Sequence, residues 1–228
     1  MSKKLFITGT GTDIGKTYVT GLIVKKLKER GQSAAYYKAA MSGNRRDADG
    51  RLIPGDALQV KTMSGIDQPL LSMCPYIYEN AVSPHLASRM EGHPVQLSVV
   101  RQTFADVCQR YDYVTMEGSG GILCPICYDE AKIQLEDIVK ELNLSSLLVA
   151  DAGLGTINSV VLTVEYMRAK GLPVKGIILN HFHPGDTMEE DNKLMCETMT
   201  GLKVLACVRE GDSSLEMDAA ALAALYEE

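Results

Sequence analysis

Two rhythms of apolar and polar residues run along the chain. Short apolar runs bounded by turn residues lie at Leu5-Phe6-Ile7, at 34–37 and 113–116, at Leu147-Leu148-Val149, and at 174–179 and 204–208. Each predicts a buried strand. Between them, apolar positions recur at helical spacing. Over 16–30, Val19, Leu22, Ile23 and Leu27 share one helix face and Gly31 ends the run. Segments 56–63, 95–111, 135–142, 157–170, 189–199 and 217–226 read as further helices, and the polar, glycine-rich stretch 42–55 reads as a loop. Ser83-Pro84-His85 has the form of a helix start. Apolar strands alternating with helices predict an α/β fold, one unit over 1–228 with a mostly parallel central sheet and helices on both faces. Ligands of such sheets bind beyond the carboxyl ends of the strands.

Composition narrows the class. Hydrophobic residues make up 46% of the 228 and charged residues 23%, which is ordinary globular usage. A formal net charge of −6 argues against a nucleic-acid partner. No apolar run approaches the roughly 18 residues of a membrane span. The N-terminal residues lead straight into a strand, without the apolar stretch of a secretory signal. A cytoplasmic protein with reduced thiols is expected. Cys124-Pro-Ile-Cys127 has C-x-x-C spacing, but no second pair completes a zinc site and the pair follows a glycine run instead of opening a helix. A structural role is expected for it. His85, His93, His181 and His183 show no metal-ligand spacing.

The chemistry begins after the first strand, at Gly9-Thr10-Gly11-Thr12-Asp13-Ile14-Gly15-Lys16-Thr17. This is a Walker A loop with one extra residue, G-x5-G-K-T. Its glycines let backbone N–H groups turn inward around phosphate oxygens, and the helix that follows adds its positive end. Lys16 reaches the β- and γ-phosphates and the Thr17 hydroxyl can ligate Mg²⁺. A dinucleotide G-x-G-x-x-G loop is excluded, because Ile14 stands where the third glycine is required.

Other strand ends carry polar residues too. Lys38 follows the second strand, with Ser42 four residues on; it is either a solvated lysine or a second cation for phosphoryl transfer. Asp56 opens a helix, as a cap or a metal ligand. Glu117-Gly118-Ser119-Gly120-Gly121 places a carboxylate at a strand tip beside a glycine turn, which suits a Walker B role, and Asp151 at the next strand end competes for it. The helix start near Asn158 can receive a carboxylate. Asn180 is followed by His181, not by the lysine of a guanine-reading N-K-x-D motif.

Together these motifs resemble the dethiobiotin synthetase family, within a P-loop NTPase-like fold. The matching pieces are Gly9 to Thr17, Tyr37-Lys38 with Ser42-Gly43, Asp56-Ala57-Leu58, Ser83-Pro84-His85, Glu117 to Gly121, Gly153 to Asn158, and Asn180, in the family's order. The resemblance runs from residue 3 to about 181 and fades beyond, where Cys207-Val208-Arg209-Glu210-Gly211 replaces a proline-bearing loop. It implies an enzyme that takes 7,8-diaminononanoate, CO₂ and ATP to dethiobiotin, ADP and phosphate, with Mg²⁺ as cofactor. It implies Lys16 and Lys38 as catalytic cations, and Thr17, Asp56 and Glu117 on the metal. Nucleotide contacts are implied at Thr12, Asp13, Ile14, Gly15, Lys16, Thr17 and Tyr18, at Asp56, at Glu117, Gly118, Ser119 and Gly120, and at Asn180. Substrate contacts are implied at Ser42, Gly118, Gly120 and Asn158. A homodimer is implied, with no membrane partner. Two rivals share the phosphate loop. A MinD/ParA-like switch ATPase would carry an additional lysine where Thr10 and Gly11 stand, and an amidoligase would carry a glutamine-hydrolysing domain for which no residues remain.

Overall fold

The computed structural model describes residues 2–129 and 131–228. In chain order it contains β1 (Lys3–Gly9), α1 (Lys16–Glu29), β2 (Ala34–Lys38), β3 (Ala40–Met41), β4 (Arg45–Arg46), β5 (Leu52–Ile53), α2 (Gly55–Ser64), β6 (Tyr76–Ile77), α3 (Pro84–Met90) and α4 (Leu97–Cys108). There follow β7 (Tyr113–Glu117), β8 (Pro125–Tyr128), β9 (Lys132–Gln134), α5 (Leu135–Glu141), β10 (Ser146–Asp151), α6 (Thr156–Ala169), β11 (Val174–Asn180), α7 (Thr187–Thr200), β12 (Val204–Val208) and α8 (Ala219–Ala223).

Six strands form one parallel sheet in the order β12-β11-β10-β1-β7-β2. The apolar runs are continuous because both faces are covered. Leu5 and Ile7 of β1 point into a cluster with Val19, Leu22 and Ile23 of α1, while Phe6 between them joins Phe104 of α4 and Ile138 of α5 on the opposite face. A third cluster sets Leu148 and Ile177 against Val160 and Val164 of α6 and Cys196 of α7. The helix face expected over 16–30 is the buried face of α1. That helix stops at Gly31, whose left-handed φ of 74° lets Gln32 N–H return to the Leu27 carbonyl at 3.1 Å.

Insertion of β7 between β1 and β2 sends the chain to opposite sides of β1 at different times. The crevice beyond the carboxyl ends opens there.

Two expectations are corrected. The loop over 42–55 contains an antiparallel hairpin, β4 with β5, turned by Asp47, whose Oδ1 accepts from the N–H groups of Asp49 and Arg51. Cys124 and Cys127 stand at the hairpin of β8 and β9 and open no helix, in agreement with the sequence pattern. The helix expected over 217–226 shrinks to the five residues of α8, because Tyr226 and Glu227 turn back to the sheet. Glu227 exchanges backbone hydrogen bonds with Lys4, and the Tyr226 hydroxyl meets Thr115 Oγ1 at 2.6 Å. Among the described residues no helix is long and apolar enough to cross a membrane.

β2 is an edge strand, and its open side is closed by a side chain. Tyr36 N–H donates to Gln68 Oε1 at 2.8 Å, and Gln68 Nε2 donates to the Tyr36 carbonyl at 3.0 Å. Gln68 is fully buried, so this amide substitutes for a neighbouring strand. Gln68→Leu is expected to leave two buried backbone groups unpaired and to lower stability by about 2 kcal/mol. Urea unfolding reads this as a lower midpoint at unchanged slope.

Candidate active site

The phosphate loop joins β1 to α1 with two residues in left-handed conformation, Asp13 at φ 59° and Gly15 at φ 82°. Such alternation turns successive N–H groups toward one concavity. Gly9 has no room for a side chain, since a Cβ there would lie 2.5 Å from Ile14 Cδ1 and 2.8 Å from Lys16 Cδ. Lys16 opens α1, is buried, and donates to the Gly11 carbonyl at 2.5 Å. Burial first, then the nearby Lys38 ammonium, lowers the Lys16 pKa from its ordinary value.

The second half of the site comes from strand register. Parallel pairing sets Lys38, at the end of β2, beside Glu117, at the end of β7. Lys38 Nζ donates to Glu117 Oε1 at 2.8 Å and to Asp56 Oδ2 at 2.6 Å. Asp56 arrives on the first turn of α2; its carboxylate bonds Lys38 and caps no helix N–H. Thr17 Oγ1, from the first turn of α1, donates to the same Glu117 Oε1 at 2.8 Å. The Tyr36 hydroxyl donates to the other oxygen, Oε2, at 3.0 Å. Burial alone would lower the Lys38 pKa, but Glu117 and Asp56 outweigh it and hold the ammonium above its ordinary value. Its stabilising contribution is therefore complete below the ordinary lysine pKa and is lost only as pH rises through the folded value. Burial and the Glu117 carboxylate together keep Tyr36 a neutral phenol.

Lys16, Thr17, Lys38, Asp56 and Glu117 line a cavity of about 790 Å³. Of the residues expected at the site, Thr12, Asp13, Gly15, Lys16, Thr17, Tyr18, Lys38, Ser42, Asp56, Glu117, Ser119 and Gly120 line it. Four expected residues lie elsewhere. Ile14 packs into the core beside α1, and its carbonyl accepts from Asn180 Nδ2 at 2.9 Å. Asn180 stands buried behind the loop with its Oδ1 unpartnered. The Gly118 N–H is engaged by the Ile7 carbonyl at 2.9 Å, and a Cβ on Gly118 would meet Leu135 and Phe6, so this residue continues the sheet and does not line the cavity. Asn158 is exposed on α6, away from the cavity.

Asp151 is occupied elsewhere. Its Oδ2 meets His181 Nδ1 at 2.7 Å and its Oδ1 accepts from Gly153 N–H at 2.8 Å. Against the effect of burial, these bonds hold its carboxyl below the ordinary range. The structure thus brings Glu117, and not Asp151, to Thr17.

The pattern of the chain did not mark Met41, Gln59, Ala81, Val82 or Cys124 as site residues, yet they line the cavity. Ser83 was marked as a helix start. It occupies that position, but its Oγ meets His85 Nδ1 at 3.0 Å and makes no cap bond. The described cysteines are all free. Burial pushes the Cys74 thiol up to about 12 and raises that of Cys124, which keeps both protonated near neutral pH.

A hydroxyl and two carboxylates are hard oxygen donors, the set that suits Mg²⁺. Among the described residues no cluster of three or more His, Cys, Asp or Glu side chains could hold a metal ion.

A family model described as an AAA domain matches residues 3–216. The ATP-dependent dethiobiotin synthetase BioD of Brachyspira hyodysenteriae is 49% identical over 228 residues, all of both chains. That of Clostridium perfringens (strain 13 / Type A) is 48% identical over 208 residues, 91% of each chain. The chain belongs to the ATP-dependent dethiobiotin synthetase family. Similarity to this family spans the whole chain, so the fading expected beyond residue 181 is corrected. Among solved structures, the septum site-determining protein MinD of Pyrococcus horikoshii, complexed with Mg-ADP, aligns over 97% of this chain and 89% of its own with a TM-score of 0.53. At 16% identity that likeness establishes the shared P-loop fold and leaves the switch-ATPase reading without support. The dethiobiotin synthetase chain is an ATP-dependent ligase.

Gly15 tests the loop. A Cβ there would sit at a left-handed φ and 2.0 Å from Asn180 Nδ2, which is itself held by the Ile14 carbonyl. Gly15→Ala is expected to destabilise the fold by about 1–2 kcal/mol. It should also weaken ADP binding at least tenfold, as read by calorimetry.

Proposed function

We propose that the chain closes the ureido ring of dethiobiotin from 7,8-diaminononanoate and CO₂ at the expense of ATP, with the residues of the cavity in the roles below. The observation that carries this reading is the convergence of two buried ammonium groups, Lys16 and Lys38, with Thr17, Asp56 and Glu117 at one sheet edge.

One amine of the substrate takes up CO₂ and loses a proton, giving a carbamate. A carbamate oxygen attacks the γ-phosphorus and ADP leaves. The second amine then attacks the carbamoyl carbon of the mixed anhydride and loses a proton as phosphate leaves, which closes the five-membered ring. The hard step brings an anionic nucleophile to an anionic triphosphate. Lys16, folded over the phosphate loop, neutralises charge on the β- and γ-phosphates. Lys38 offers its ammonium from the opposite strand, where the charge of the transferring phosphoryl group develops. Its carboxylate partners keep it charged throughout. Ser42, on the wall after β3, is placed to hydrogen-bond the amine or carbamate, and Gly120 leaves the backbone open to the substrate. Holding both reactants in line can be worth roughly 7–11 kcal/mol. Thr17, Asp56 and Glu117 would hold Mg²⁺, which supplies Lewis-acid neutralisation of the phosphate oxygens. A magnesium nucleotide on this fold is in keeping with the MinD neighbour, which was solved with Mg-ADP. Asn180 presents a buried acceptor behind the loop, in keeping with a nucleotide contact.

The turn from Gly153 to Asn158 lies outside the cavity, and Leu154 on it is 92% exposed. A homodimer that set this turn against a partner's cavity would bring the α6 N-terminus to the substrate's carboxylate. This would give Asn158 its role.

The test is phosphate release in the presence of bicarbonate, Mg²⁺ and ATP, with and without the diamine. Release that requires the diamine is the expected result; release that ignores it overturns the reading. Lys38→Gln should retain ADP affinity within about threefold and lose ring closure by a factor of about 10²–10³. Unimpaired dethiobiotin formation by that variant removes Lys38 from the mechanism.

A further inference from the structure

Glu117 is almost fully buried, and each of its carboxylate oxygens has named partners. Oε1 receives Thr17 and Lys38, and among the described residues Oε2 receives only the hydroxyl of Tyr36, at 3.0 Å. A carboxylate turns readily about its last torsion, which is broad and roughly two-fold. Without a restraint, Glu117 could exchange its oxygens or offer both to Lys38.

Tyr36 supplies the restraint from the side away from the cavity. It lies two residues before Lys38 on β2, so the two side chains leave the same face of the sheet. Its backbone is fixed on both polar groups by Gln68. The neighbouring Tyr37, although part of the motif, faces the other way: its hydroxyl meets Thr103 Oγ1 at 2.8 Å and its ring packs on Phe104. The motif therefore names Tyr37, and not the tyrosine that meets Glu117.

We propose that Tyr36 is a positioning residue for the cation site. Its hydroxyl engages Oε2 of Glu117 so that Oε1 alone is presented to Thr17, Lys38 and the cavity. This rests on the assignment of Glu117 to Mg²⁺.

Tyr36→Phe removes the hydroxyl and keeps the ring. The experiment titrates Mn²⁺ into the ADP-saturated protein and follows free Mn²⁺ by electron paramagnetic resonance, with ADP affinity measured separately in EDTA. Tyr36→Phe is expected to weaken Mn²⁺ binding about tenfold, the order associated with loss of a hydrogen bond to a charged acceptor. ADP affinity without metal should change by less than about twofold. Equal Mn²⁺ affinity in the two proteins, or parallel loss of Mn²⁺ and metal-free ADP binding, overturns the role of Tyr36. If the ADP-saturated wild-type chain binds no Mn²⁺, the cation assignment itself falls, and the proposal with it. Should Tyr36→Phe fail to fold, 3-fluorotyrosine placed at position 36 of the otherwise unaltered chain gives a second reading. Its ¹⁹F resonance is expected to shift when Mg²⁺ is added to the ADP complex, and an unmoved resonance overturns the proposal.

Discussion

The buried ammonium of Lys38 is the constraint around which the rest is arranged. A lone charge in that position would be expelled from the fold or neutralised. It stays charged because parallel register sets Glu117 directly beside it and α2 delivers Asp56 from another direction. Such a cluster is weak evidence for stability, since desolvation offsets much of the attraction. What it provides is preorganisation: the ammonium is held at the cavity wall by fixed protein partners instead of by solvent. The strand order serves the same end. With β7 between β1 and β2, the phosphate loop approaches from one side of Glu117 and Lys38 from the other.

The fold by itself does not decide the chemistry. The same arrangement of a parallel sheet and phosphate loop serves MinD, at 16% identity. The chemistry therefore rests on the side chains that the strand ends carry. In this chain a buried lysine stands at the end of β2, held in one place by Glu117 and Asp56, and the early loop positions hold Thr10 and Gly11.

How much of this could be read from the chain depends on the range of the interactions involved. The six core strands and the phosphate loop announce themselves, because a buried strand needs an apolar run and the loop needs glycines at fixed offsets. The hairpins β4–β5 and β8–β9 do not: strands of two to four residues have no periodicity to detect, and a turn such as that of Asp47 is specified by a few hydrogen bonds. The segment 217–226 has helical composition, yet pairing of Glu227 with Lys4 stops the helix early, a contact between the two ends of the chain that no local window contains. Gly118 and Gly120 look equivalent in sequence. One continues the sheet against Ile7, and the other turns at φ 64° into the cavity wall. Tyr36 and Tyr37 are adjacent residues of one kind, and the pleat of β2 assigns one to Glu117 and the other to the opposite core.

Thr17, Tyr36, Lys38, Asp56 and Glu117 come from α1, β2, α2 and β7, and Glu117 lies 100 residues beyond the threonine it bonds. None of these contacts can form within an isolated segment, so the cluster exists only when β7 has been inserted between its neighbours. Closing loops of this length costs entropy that must be recovered from the apolar clusters on both faces. The site contributes little to that recovery, because its charges are expensive to bury. Stability and chemistry are therefore carried by different residues of the same strands. On β1 and β7, the inward-facing apolar side chains hold the sheet. The strand tips, where the backbone leaves the sheet and the glycines begin, carry the polar groups that line the cavity.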